Sequence, residues 1–521
     1  MRSIYKKMTG CFMAAALSIS AVAQQSDYLI LASDAVKSDP NWNKVVSELQ
    51  KSHPNAQTLF YGKTPADVFD EIKSCYPRYV AVVEKPENIG KDFVIGMNRL
   101  SREVDDDIYM DFLWGMISGY DAGAAIRVVR DAQTPKRLPV CLTTISDLGD
   151  GKWFDIYCNI ADNKPGYYRT KYSGETIQTE HRVTDTLANN MYARRWYEAV
   201  KRYGSEKNAR ARFGKNFSVD KPNLLQPFDS LYRMLDPDLM ITASHATENN
   251  LEMPFSAGNI LCKDGYLYAD YPQGPSYFDE SNKCRVYLPI GNCLIGNTNN
   301  TKNSMSMAWM KHAKVSTFVG YVVVTWYGRN GWGGLRTLLT QPGRYTVAES
   351  FYLNQQDLLY RLQENAPDLV GKPFPYDKKE NLGNAFADAE KTAGRKVSMD
   401  EMGQWYDRDV LAYYGDPLWN VRLNEIPEEN DITVTCKQGK GKCTVTIKTG
   451  RNFDLKRMEG SNLNKENLQP MPFSYFFPER LENPRLAEGQ DWKAAVDENF
   501  LFLYDTHFEP GKTYKIVLQT D

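Results

Sequence analysis

The amino-acid sequence predicts an α/β body built on a parallel sheet, followed by a smaller all-β unit. Three observations lead there. From residue 27 onward, apolar and β-branched runs alternate with helical periodicities, the pattern of parallel strands covered by helices on both faces. Two of those runs end in reactive side chains: Leu239-Met-Ile-Thr-Ala-Ser-His245 and Val286-Tyr-Leu-Pro-Ile-Gly-Asn-Cys293. The carboxyl ends of strands are where an open α/β sheet places its working groups. Near Pro427 the helical periodicity stops and apolar and polar residues begin to alternate, the mark of half-buried strands.

Residues 1–23 read as an export signal. Arg2, Lys6 and Lys7 form a positive head, 11–22 an apolar stretch, and Ala21-Val-Ala23 a small-residue cleavage site. The apolar stretch is too short to span a bilayer, and no later run is long enough. Cys11 stands at its start rather than after it, which argues against a lipid-attachment site. Export places the protein in the periplasm, in the medium or on the cell surface.

Residues 28–32 predict a strand, and Trp42, Val45, Val46 and Leu49, at i, i+3, i+4 and i+7, predict a helix. A strand at 59–61, a helix around Val68, Phe69 and Ile72, and a strand at 79–83 continue the alternation. Asp105-Asp-Asp107 before Ile108 predicts a helix start, since acids favour the positive end of a helix dipole. A second unit follows, with an amphipathic helix at 187–203 and another closing at 231–235 before the His245 run. Residues 263–271 predict a hairpin turning at Asp264-Gly265. After Cys293 come a helix at 305–312, a strand at 315–325, the aromatic loop Trp326-Tyr-Gly-Arg-Asn-Gly-Trp-Gly-Gly334 and a long helix at 348–362. Hairpin strands at 432–436 and 443–448, then runs at 500–504 and 513–518, make 427–521 a small β-sandwich. The expected units are therefore the signal 1–23, α/β subdomains 24–175 and 176–426, and the β-sandwich 427–521.

Removing Arg2, Lys6 and Lys7 with the signal leaves 65 acidic against 60 basic side chains. That balance predicts neither a nucleic-acid partner nor a polybasic membrane patch. An exported chain permits disulfides. Cys436 with Cys443, Cys262 with Cys284, and Cys141 with Cys158 are local possibilities, and the connectivity stays open. No Cys-x-x-Cys or His-x-x-x-His spacing appears among five histidines, so a transition-metal cofactor is not expected.

A thiol beside an imidazole is the minimum equipment for nucleophilic acyl transfer, the imidazole taking or balancing the thiol proton. Strand-end loops also expose backbone N–H groups able to hold an oxyanion. Ala243, Ser244 and Ala246 near the histidine, and Gly291 and Gly296 near the cysteine, let a substrate backbone approach. The plainer reading of Cys293 is a structural thiol or half of a disulfide. Paired acids for glycoside hydrolysis are not placed by any motif. His312, on a helix with Trp309, reads as a packing or surface residue; His53, His181 and His507 attract no functional role.

Several short motifs, in order, carry a resemblance. They are an apolar block ending in His245, a second ending in Cys293, then Cys293-Leu-Ile-Gly296-Asn297, the elements at 305–325, and Tyr413-Tyr-Gly-Asp-Pro417. With the export signal and the trailing β-unit, the chain resembles the gingipain-type peptidases of the caspase-like clan. The resemblance implies a caspase-like parallel-sheet sandwich of two α/β subdomains followed by an immunoglobulin-like sandwich. It implies an exported cysteine endopeptidase acting on peptides or proteins. Cys293 attacks the scissile carbonyl, His245 gives a proton to the leaving amine, and the N–H groups of Ala246 and Cys293 hold the oxyanion. Glu248, Asn292, Trp326, Tyr327 and Arg329 become candidates for substrate contact. Calcium enters by family analogy alone, since no loop carries a pattern of oxygen ligands for it. The sequence departs from the family at Ala246, where glycine is usual, and at Asn292, where a small residue is usual. Those departures support an alternative, a catalytically degenerate body that binds peptide or glycan. Oligomeric state stays open.

Overall fold

A computed structural model of the chain describes residues 27–145, 148–149, 151–160, 167–172, 179–182, 201–205, 207–208, 211, 225–254, 258–271, 274–281, 283–325, 333–376, 381–454 and 471–521. The expected helix at 187–203 lies outside them except at its last turn, where 201–203 are helical.

The described residues open with β1 (Tyr28–Ser33), every residue of which is buried. Asp39 then caps the helix Pro40–Ser52, accepting from Asn41 N at 2.9 Å, with Pro40 in its first turn. Trp42, Val45, Val46 and Leu49 form its buried face, as the spacing predicts. β2 (Gln57–Tyr61), the helix Phe69–Cys75, β3 (Tyr79–Val83), the helix Lys91–Leu100, β4 (Leu113–Ile117) and the helix Ala122–Asp131 repeat the unit.

The acidic triplet at 105–107 does not start a helix. Its carboxylates turn the chain instead: Asp107 N donates to Asp105 Oδ1 at 2.9 Å and Tyr109 N to Asp107 Oδ1 at 2.7 Å. Asp side chains offer the backbone such local partners in place of helical ones.

After the short β5 (Lys136–Arg137) come β6 (Val140–Thr143), β7 (Ile156–Asn159), β8 (Tyr167–Lys171) and β9 (Thr179–Arg182). The helix Leu225–Leu235 leads into β10 (Leu239–Ile241). A separate antiparallel sheet follows: β11 (Asn250–Glu252), β12 (Asn259–Lys263), β13 (Tyr266–Tyr271) and β14 (Gly274–Tyr277). Asp264 and Gly265 turn its predicted hairpin, both with positive φ. β15 (Arg285–Leu288), the helix Met305–Lys311, β16 (Val315–Tyr321), the helix Val347–Asn365 and β17 (Leu411–Tyr414) complete the body.

Among the described residues twelve strands join in one sheet, ordered β2-β1-β3-β4-β17-β16-β15-β10-β6-β7-β8-β9. Pairing is parallel from β2 to β4 and from β16 to β7. β17 runs antiparallel to β16 and touches β4 through one bridge, Tyr414↔Met116. The expected α/β body on a largely parallel sheet is the observed one.

The remainder is all β. After β18 (Val421–Arg422), which pairs with β5, come β19 (Ile432–Gly439), β20 (Lys442–Thr449), β21 (Phe473–Phe476), β22 (Arg485–Leu486), β23 (Lys493–Asp497), β24 (Phe500–Tyr504) and β25 (Thr513–Gln519). They form two antiparallel sheets, β19-β20-β25-β22 and β21-β24-β23. Leu501 and Leu503 enter the core shared by these two sheets, whereas Phe500, Phe502 and Tyr504 enter the core of the α/β body. The three-stranded sheet is therefore the middle layer.

Cys436 and Cys443 form a disulfide across the β19–β20 hairpin. Cys262 and Cys284 are free thiols, as are Cys141 and Cys158. The β6–β7 register pairs Leu142, not Cys141, with Cys158, so the latter two thiols fall on opposite faces of the sheet.

Candidate active site

β10 and β15 adjoin and run parallel, with Leu239↔Val286, Met240↔Tyr287 and Ile241↔Leu288 in register. Both predicted strands run too long: the ladder closes at Thr242 N→Leu288 O, 3.2 Å, and His245 and Cys293 stand on the loops beyond. Pro289 has no N–H to extend the ladder. Gly291 then turns the chain at φ 71°. His245 is exposed, and Cys293 is a half-buried free thiol.

The Cys293 loop is held from behind. Leu294 sits at φ 57°, a left-handed conformation costing a branched residue on the order of 1 kcal/mol. Leu294 N donates to Val323 O at 3.0 Å and Gly296 N to Tyr321 O at 2.9 Å, tying the loop to the end of β16. Thr325 N donates to Cys293 Sγ at 3.3 Å. Sequence reasoning missed Thr325. Its only signal was its place at the end of the predicted 315–325 run, before the aromatic loop.

Asn292 is fully buried. Its Oδ1 accepts from Thr242 Oγ1 at 2.8 Å, while its Nδ2 donates to Ser244 O at 2.8 Å and Ser244 Oγ at 3.3 Å. The expectation that Asn292 contacts substrate is corrected by this burial: its amide joins the two loops from inside. Glu248, another candidate contact, accepts from Asn299 Nδ2 at 3.2 Å, and its carbonyl accepts from Met305 N at 2.7 Å. It braces the histidine loop against the segment after Cys293.

Ala246 is buried and bridges antiparallel to Leu251, through Thr247 N→Asn250 O and Glu252 N→His245 O. That bridge does not use the Ala246 N–H. Neither Ala246 N–H nor Cys293 N–H has a hydrogen-bond acceptor among the described residues. Trp326, Tyr327 and Arg329 lie outside the described residues.

The motif Tyr413-Tyr-Gly-Asp-Pro417 reaches the same loop. Tyr414 OH donates to Gly296 O at 2.8 Å. Gly415 adopts φ 127°, and a Cβ there would stand 2.7 Å from Ser316 O. Asp416 accepts from Tyr28 OH at 2.9 Å and pairs with His53 Nε2 at 2.8 Å, with the His53 ring stacked on Tyr28 at 3.8 Å. His53, given no role from sequence, thus anchors the start of β1 to this motif. His312 is buried and its Nδ1 accepts from Leu267 N at 2.9 Å, a packing role as expected; burial lowers its pKa.

Burial pushes up the thiols of Cys75, Cys141, Cys158 and Cys284, and that of Cys262 to about 11. The Tyr321 phenol, buried beneath the Cys293 loop, is pushed well up by burial and by Asp407, Tyr406 and Cys293 nearby. Among the described residues no group of three or more His, Cys, Asp or Glu side chains is arranged to hold a metal ion. No helix among them is long and apolar enough to cross a membrane.

No family model matches the chain, and no curated protein matches it. Among solved structures, it is similar to the complex of Porphyromonas gingivalis RgpB pro- and mature domains, with 11% identity over 95% of this chain and 93% of that one, TM-score 0.36. It is also similar to a structure described as a protease, with 10% identity over 95% of each chain, TM-score 0.35. A third is the Arg-specific cysteine proteinase gingipain R (RGPB), with 11% identity over 95% of this chain and 92% of that one, TM-score 0.35.

Proposed function

We propose that the chain is an exported cysteine peptidase that hydrolyses peptide bonds through Cys293 and His245. One observation carries this reading: two adjoining parallel strands deliver a free thiol and an exposed imidazole to neighbouring loops. Cys293 gives its proton to His245, and its Sγ attacks the scissile carbonyl carbon, forming the carbon–sulfur bond as the oxygen takes up negative charge. The N–H groups of Ala246 and Cys293, which have no acceptor among the described residues, are the donors for that oxygen. Collapse breaks the carbon–nitrogen bond, His245 supplies the proton to the leaving amine, and water then hydrolyses the thioester. Trp326, Tyr327 and Arg329 follow Thr325 directly in the chain and remain the proposed contacts for the residue before the cut.

The test is a positional peptide library run on the native protein and on Cys293→Ala, with a thiol-directed probe alongside. The native protein is expected to cleave and to be labelled, and the alanine variant to melt normally and cleave nothing. Equal turnover by the two proteins would refute the assignment. A native protein that neither cleaves nor labels at Cys293 would favour the degenerate, binding-only reading.

A further inference from the structure

We propose that Asn292 is a positioning residue that holds the histidine loop and the cysteine loop in catalytic register, a role that rests on the Cys293–His245 reading. The backbone ladder between β10 and β15 ends at Leu288, well short of both reactive side chains. Beyond that point the side-chain amide of Asn292 takes over. An amide offers an acceptor and two donor hydrogens on one rigid plane, and here both ends are engaged by the opposite loop. Thr242, the donor to Oδ1, is itself hydrogen-bonded to Tyr287 OH at 2.9 Å. Ser244, the acceptor from Nδ2, passes its own hydroxyl to Glu252 O at 2.5 Å. The chain of bonds runs from β15 through β10's loop to β11, with His245 directly after Ser244 and Cys293 directly after Asn292.

Asn292 is wholly buried and one residue from the nucleophile, so it cannot touch substrate without dismantling this network. A small residue in its place would leave the Thr242 hydroxyl with Tyr287 OH as its remaining partner and strip the half-buried Ser244 carbonyl of the Asn292 donor. The loops would then be free to drift, and a displacement of about 1 Å at a reacting pair costs on the order of a hundredfold in rate.

The experiment compares Asn292→Ala, Thr242→Val and Thr242→Ser in the full chain. It measures peptide kcat and KM, and the pH–rate profile of Cys293 alkylation by iodoacetamide. Asn292→Ala and Thr242→Val are expected to lose roughly 10- to 100-fold in kcat with KM changed less than about twofold. Both should also lose the limb of the alkylation profile that His245→Ala removes. Thr242→Ser, which keeps the hydroxyl donor, should restore both. If Asn292→Ala does not fold, Thr242→Val decides, since it deletes one hydroxyl and keeps the shape of the side chain. Retention of the native alkylation limb by a folded Asn292→Ala or Thr242→Val variant overturns the positioning role and leaves the dyad standing. A native profile that His245→Ala does not alter overturns the dyad itself, and the positioning role with it.

Discussion

Gly296 shows how much a single missing side chain determines. A Cβ there would stand 2.3 Å from Gly320 O, and one on Gly320 would stand 2.7 Å from Phe318 Cε1 and 3.1 Å from Gly296 Cα. The obstacle to a side chain at Gly296 is backbone, which cannot swing aside. Gly296→Ala is therefore expected to destabilise the protein by about 1–3 kcal/mol and to slow Cys293 alkylation, because the loop carrying the thiol must lift off β16. An unchanged melting temperature together with an unchanged alkylation rate would contradict this. The Cys-x-x-Gly and Gly-Asp-Pro motifs were legible in sequence as patterns, but not their reasons. Gly415 is required by its positive φ, and Tyr414 supports the carbonyl of Gly296. Asn292 was misread as a substrate contact because sequence does not say which way a polar side chain between two strand ends will face.

Among the elements, β24 is the most informative. Phe500-Leu-Phe-Leu-Tyr504 shows no polar alternation because neither of its faces meets water. Tyr504 stacks on Tyr360 at 4.4 Å and Phe500 meets Tyr109 edge-on at 5.0 Å on the body side, while Leu501 and Leu503 fill the sandwich core. Phe502→Ala and Leu501→Ala should each cost about 2–5 kcal/mol, without the alternation of large and small losses expected for a half-exposed strand. Urea midpoints of the two variants check it, and a cheap loss on either face would show that face to be wet. The strands of the site were overextended in sequence for a related reason. Small or apolar residues continued through 242–244 and 289–291, but strand pairing stopped at Ile241 and Leu288.

At the scale of the whole molecule, buried carboxyls set opposing responses to pH. Asp111 is buried and lies near Asp105 and Asp107; burial first, then the Asp105 charge, pushes its pKa up to about 8. A carboxyl raised in the folded state stabilises the fold fully below the range where an ordinary aspartate titrates, and that stability drains away as pH rises toward 8. Asp409 behaves the other way. Burial opposes its ionisation, but Arg102 and Arg408 outweigh that and hold its carboxyl well below the usual range, so its contribution is lost as pH falls. Asp111→Asn is expected to flatten the decline in stability between about pH 5 and 8 and to gain roughly 1–3 kcal/mol at pH 8. Urea unfolding across that range is the check, and a variant whose stability falls as steeply as the native protein's would sink it. By itself the sequence determined the succession of strands and helices, the change to hairpins after Pro427, and the placing of His245 and Cys293 just past apolar runs, because periodicity and turn chemistry are local. Only the tertiary structure decided that β10 and β15 adjoin, that Asn292 ties their loops, and that β24 is enclosed on both sides. Strand order and side-chain facing follow from burial between residues far apart in the chain, which no local pattern encodes.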